Sequence, residues 1–240
     1  GAGDTPAKIQ PVSVPDLPAG KLNASSVCQA VGALMPENAI IADEAQTSGV
    51  KLPFFTSGSP RHDVLTLTGG AIGQGLPVAI GAAIAGQDSE GNSRPVISLV
   101  GDGSAMYTIQ SLWTMMNENL DVTVIILNNR SYAILNIELE RVGAEGAGPK
   151  AKSQLDLSKT EIDFVAMAKG MGMPAETVTT TEAFNEALAR ALREPGPHLI
   201  DAIVPSEYEG LKLKALPHLL GAMGKIPSPL AKALKKKIAP

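Results

Sequence analysis

Gly101-Asp102-Gly103-Ser104 and Asn128-Asn129 are the residues of this chain whose types and placement point most directly to chemistry. Each follows an apolar, strand-like run, Pro95-Val-Ile-Ser-Leu-Val100 before the first and Val122-Thr-Val-Ile-Ile-Leu127 before the second. Two such runs read as buried parallel strands, which sets a carboxylate and a carboxamide at neighbouring carboxyl edges. Hard cations and diphosphates are bound at such edges. Gly101 and Gly103 lack side chains, so backbone N–H groups can approach an anion closely. A helix starting near Ser104 and running to Asn119 would turn its positive end toward that anion. Asp102 can hold a divalent cation that neutralises it, and Asn129 offers an amide oxygen to the same ion. Gly-Asp-Gly alone, or Asn-Asn alone, would be an ordinary turn; the two together behind buried strands are far more specific. A nicotinamide site fits less well, because Met106 stands where the last glycine of Gly-x-Gly-x-x-Gly would be. The chain has no P-loop either.

The elements that must position these residues alternate along the chain. Strands are expected near 39–43, 64–68, 96–100, 122–127, 175–179 and 198–203, and helices near 24–35, 72–86, 104–119, 131–139, 161–170 and 182–193. This alternation predicts an α/β fold: a doubly wound, six-stranded, mainly parallel sheet with helices on both faces. The right-handed crossover rule puts every strand-to-helix loop on one edge. Gly143–Lys152 reads as a loop that could cover the site as a lid, or be plain surface. Residues 1–22, with Pro6, Pro11, Pro15 and Pro18, read as a linker or extended arm. Residues 23–205 form the expected domain and 206–240 a C-terminal tail.

Composition narrows the class. Aromatic residues make up only 3% against 44% hydrophobic, so the core must be Val, Ile, Leu and Ala, which suits a sheet covered on both faces. Cys28 is the only cysteine, which excludes an internal disulfide and points to a reducing, cytoplasmic setting. The net charge is −4, but the tail alone is net basic, with seven lysines against Glu207 and Glu209. An acidic body argues against nucleic-acid binding. The charge-free run Val64–Gln87 is long enough for a membrane span, but its glycines, Pro77 and polar side chains favour a buried strand–loop–helix. The tail repeats leucines at roughly helical spacing. It reads as an arm packing on its own or a neighbouring subunit, with a lipid-surface anchor as the alternative. His62, His198 and His218 are isolated and carry no metal spacing.

The segment 101–114, Gly-Asp-Gly-Ser-Ala-Met-Tyr-Thr-Ile-Gln-Ser-Leu-Trp-Thr, resembles that of the benzoylformate decarboxylases. Residues 23–205 as a whole are similar to the diphosphate-binding domain of the thiamine-diphosphate enzymes, the acetolactate synthase and 2-oxoacid decarboxylase superfamily. The resemblance implies thiamine diphosphate and Mg²⁺ as cofactors. It implies Asp102, Asn129 and the backbone carbonyl of Ser131 as magnesium ligands. Thr68-Gly-Gly-Ala-Ile-Gly-Gln-Gly-Leu-Pro77 matches the segment that holds the thiamine core. On that match Ile72 would be the residue wedged beneath the cofactor, and the Gly70 carbonyl would accept from its 4′-amino group. Asp43-Glu-Ala-Gln-Thr-Ser48 matches the first diphosphate loop, with Gln46 and Thr47 as donors. Gly101, Gly103 and Ser104 complete the cofactor contacts, Ser104 reading also as a helix N-cap.

The resemblance also implies what lies outside residues 1–240. A glutamate from a pyrimidine-binding domain activates the cofactor in this family, and no residue here matches it. Glu44 falls on the diphosphate side and is a poor substitute. The expected partner is therefore that domain, in the same full-length chain or a separate subunit, within a homodimer or tetramer. The substrate would be a small 2-oxoacid, pyruvate by the acetolactate synthase kinship or an aromatic one by the decarboxylase kinship. The alternative is a non-catalytic cofactor-binding or regulatory module.

Overall fold

The computed structural model describes residues 13–90, 92–142 and 148–206. They fall into two units, one ending its first stretch at Asn129 and resuming at Ile162–Pro205, the other containing Arg130–Glu161.

The first unit is built on a six-stranded, all-parallel sheet. Its strands are β1 (Ile40–Glu44), β2 (Asp63–Thr66), β3 (Val96–Gly101), β4 (Val122–Asn128), β5 (Ala175–Val178) and β6 (His198–Ile203), in the spatial order β2-β1-β3-β4-β6-β5. The period of two in each strand sends alternate side chains to opposite faces. In β4, Val122, Val124 and Ile126 enter one core and Ile125 and Leu127 the other. The first core is closed by helices α3 (Gly75–Ala85), α5 (Ser111–Asn117) and α8 (Phe164–Gly170); the second by α1 (Ala24–Leu34) and α9 (Thr181–Ala191). Helix starts follow local chemistry. Asn23 and Ser26 close a reciprocal capping box on α1, and Asp163 and Thr180 cap α8 and α9.

The chain leaves β1 toward β2 on one side and leaves β3 toward β4 on the other. The carboxyl edge between β1 and β3 is therefore the topological switch point, where open α/β sheets bind ligands. Residues 13–22 run along the helices of the same unit. The Gln29 side chain donates to the Asp16 carbonyl at 2.8 Å, the Asn185 side chain to the Pro18 carbonyl at 2.9 Å, and the Gly20 N–H to Glu182 at 3.1 Å.

Two local expectations are corrected. The helix expected over 104–119 begins at Asp102 and is two helices, α4 (Asp102–Thr108) and α5, broken at Ile109 and Gln110. Short helical turns at Gln46–Gly49 and α2 (Leu52–Thr56) precede β2. In the second unit, which also holds α6 (Ala133–Arg141), Pro149–Ser153 forms the helix α7 rather than loop. Pro149 sits at its start, where the missing N–H costs nothing. Residues 143–147 of the expected lid, and the basic tail from residue 207 on, lie outside the described residues. Among the described residues no helix is long and apolar enough to cross a membrane.

Candidate functional site

Parallel pairing sets Gly101 opposite Leu127. Asp102, next after β3, and Asn129, next after β4, therefore leave the sheet at adjacent carboxyl ends. Asp102 is the first residue of α4 and only 3% exposed, and its Oδ1 accepts from the Gly103 N–H at 2.8 Å. Gly103 and Ser104 are buried beside it. Ser104 is not the N-cap: that position is Gly101, because the helix starts two residues earlier than the sequence suggests. The dipole at this edge is thus that of a seven-residue helix. Asn129 is half-buried. Ser131 lies in the second unit, where the Asn136 side chain donates to its Oγ at 3.0 Å and Tyr132 N–H bonds the Leu155 carbonyl at 3.0 Å.

One strand away, β1 ends in a tight turn. The Asp43 carboxylate accepts from Ala45 N–H at 3.0 Å, and burial raises its pKa against that hydrogen bond. Gln46 has φ +51 and is half-buried, as is Thr47, so both diphosphate-loop candidates stand at the switch point.

The 68–75 loop is the third wall. Gly69 and Gly70 take φ +68 and +69, a conformation that glycine alone adopts without strain. A Cβ at either would touch nothing within 4 Å. Ile72 is half-buried. The Gln74 side chain closes the loop on itself, donating to the Thr68 and Ala71 carbonyls at 3.0 and 2.9 Å.

Two residues in this wall carry more than their sequence context indicated. Glu44, 1% exposed, accepts from the Gly73 N–H at 2.5 Å and from the Gly75 N–H at 2.7 Å. Thr108, on α4, donates its hydroxyl to the Gly73 carbonyl at 2.8 Å. The Asn128 side chain, just before Asn129, donates to buried Asp201 at 3.1 Å. None of these pairings has a local sequence signal, because the partners lie on different elements.

The residues fit a metal–diphosphate group on two observations. Gly101 has an ordinary φ of −72, and a Cβ there would meet only Ser104 Oγ at 3.8 Å. The protein's own packing therefore does not require glycine, and its bareness leaves a cradle open at the strand end. The donors are a carboxylate and a carboxamide, oxygen ligands suited to a hard cation. Among the described residues no group of three or more His, Cys, Asp or Glu could hold a metal by itself.

Residues 45–202 match the family model described as thiamine pyrophosphate enzyme, C-terminal TPP binding domain. The chain is 56% identical over 206 residues to the Mycobacterium tuberculosis protein named "Putative acetolactate synthase large subunit IlvX", covering 85% of this chain and 39% of that protein. It is 36% identical over 161 residues to the chloroplastic acetolactate synthase 2 of Zea mays, covering 67% of this chain and 24% of that one. Among solved structures, the thiamine diphosphate-dependent 4-hydroxybenzoylformate decarboxylase of Rhodococcus jostii RHA1 superposes with a TM-score of 0.68 at 30% identity. The superposition covers 82% of this chain and 35% of that one. The chain thus spans well under half the length of the proteins it matches.

Proposed function

This chain belongs to the thiamine pyrophosphate enzymes through their C-terminal TPP-binding domain, and from that premise we propose how its residues divide the work. Asp102 and Asn129, with the Ser131 carbonyl, would hold Mg²⁺. Gln46, Thr47, Gly101, Gly103 and Ser104 would hold the diphosphate, while Gly70 and Ile72 would receive the thiamine core. The observation that carries this reading is the buried Asp102 at the end of β3, beside Asn129 at the end of β4 and next to the sheet's switch point.

When bound, thiamine diphosphate supplies a nucleophilic thiazolium carbon and an electron sink for decarboxylating a 2-oxoacid. The part of this chain is to fix the anion, neutralise it and orient the ring. That Glu44 accepts from two backbone N–H groups supports a structural role for it rather than that of the activating acid. The activating glutamate would come from a pyrimidine-binding domain, in the same full-length protein or a second subunit of a homodimer or tetramer. The relatives' greater length supports this. The domain would span residues 23–205, between an N-terminal arm and a basic tail. A cytoplasmic setting accords with the single buried cysteine.

The test is carbon dioxide release from pyruvate and from benzoylformate, with thiamine diphosphate and Mg²⁺ present. Residues 1–240 alone should turn over weakly or not at all, and addition of a pyrimidine-binding domain should restore decarboxylation. Robust turnover by residues 1–240 alone would refute the division of labour. Persistent inactivity with a folded partner would favour a non-catalytic module.

A further inference from the structure

Glu44 is a carboxylate buried to 1% exposure, with both oxygens turned onto the backbone of another segment. An acid in such a place is costly unless its lone pairs are met by donors. Here the donors are the N–H groups of Gly73 and Gly75, which flank Gln74, the residue that precedes α3. No side chain of α3's own start caps this helix, so Glu44 caps it from β1. The neighbouring residues are shaped around this contact. A Cβ on Gly75 would stand 2.6 Å from Glu44 Oε2 and 2.7 Å from its Cβ. Gly73 has φ +99, and a Cβ there would stand 2.7 Å from that of Tyr107.

The contact matters because of what the loop carries. Gly69 and Gly70 have no packing of their own where a side chain would be. The loop is anchored at its far end, where Glu44 grips Gly73 by its N–H and Thr108 grips it by its carbonyl. Glu44 stands two residues before Gln46, and Thr108 closes the helix that Asp102 opens. The two grips tie the loop to both segments assigned to the diphosphate. We propose that Glu44 is a positioning residue of the cofactor site, holding the 69–75 loop so that Gly70 and Ile72 face the thiamine core; this rests on the cofactor reading above.

The chemistry of the clamp favours glutamate. A carboxylate only accepts, on two oxygens. Glutamine would meet one of the two N–H groups with its own N–H₂, leaving a buried donor unsatisfied. A loop that then samples other positions lowers apparent affinity by the fraction of time it is misplaced.

The experiment compares two probes by titration calorimetry on the full-length protein: thiamine diphosphate with Mg²⁺, and inorganic pyrophosphate with Mg²⁺. Two variants address the contact from opposite sides. Glu44→Gln removes an acceptor. Gly75→Ala keeps the charge but crowds it, at a helix position where alanine is intrinsically preferred to glycine; it carries the test if Glu44→Gln fails to fold. Each should bind thiamine diphosphate about tenfold more weakly, the factor that one unmet buried donor carries, and bind pyrophosphate as before. Amide exchange over residues 68–76 should quicken. Unchanged thiamine diphosphate affinity in both variants would overturn the proposal. So would an equal loss for both probes, which a general loosening of the fold would give. Failure of the unsubstituted protein to bind thiamine diphosphate would instead sink the cofactor reading, and this inference with it.

Discussion

Three buried acids serve the carboxyl edge of the sheet in three different ways. Asp102 faces the proposed cation, Glu44 holds a backbone loop, and Asp201 supports the strand end next to Asn129. Asp201 is 4% exposed and paired with Asn128. Burial pushes its pKa from the ordinary 3.8 up to about 6, against hydrogen bonds from Asn128 and Thr177 that lower it; Asp163 raises it further. The folded state thus holds this proton more tightly than the unfolded chain. The group's contribution to stability is fully present below pH 3.8 and is lost as pH rises through about 6. Asp201→Asn keeps an acceptor for Asn128 and removes the buried charge. Urea unfolding at pH 7.5 should show it more stable by roughly 1–2 kcal/mol, with a flatter pH profile between about pH 4 and 7. A destabilised variant at pH 7.5 would show that the charged form is the one the fold favours. The place of Asp102 at a strand end was legible from its motif. The roles of Glu44 and Asp201 were not, because each is defined by a partner 29 to 73 residues away.

At the scale of elements, the strands were the most legible. Runs such as Val122–Leu127 are rich in β-branched residues and suit a sheet buried on both faces, and all six strands stand where their composition placed them. Helices were less so. Nothing in Thr108-Ile109-Gln110 is a helix breaker, yet the helix from Asp102 stops there, with the Thr108 hydroxyl turned to Gly73. The two cores flanking the sheet give a direct test of the double winding. Phe164 on α8 and Phe184 on α9 are fully buried, in opposite cores. Replacing either by alanine should cost about 3–5 kcal/mol. Because they share no cluster, the double variant should lose about the sum in urea unfolding, to within roughly 0.5 kcal/mol. Strong coupling between them would mean that the sheet does not separate the two cores as described.

For the molecule as a whole, the fold sets most of the residues proposed to hold the cofactor along the carboxyl edge of one sheet, and the rest of the site is proposed to come from another domain. The switch point between β1 and β3 follows from strand order, which no local motif encodes; it came from pairing the strands. The motif residues Asp102, Asn129, Gln46 and Thr47 fall along that edge because each ends or follows a strand or its turn. Ser131, by contrast, lies in the second unit. The central claim is that this edge holds magnesium and diphosphate through Asp102. Titration calorimetry of thiamine diphosphate into the protein, with Mg²⁺ and then with chelator, tests it most directly. The account predicts magnesium-dependent binding that Asp102→Ala abolishes while the thermal transition of the fold persists. Binding by the Asp102→Ala protein at unchanged affinity would contradict it.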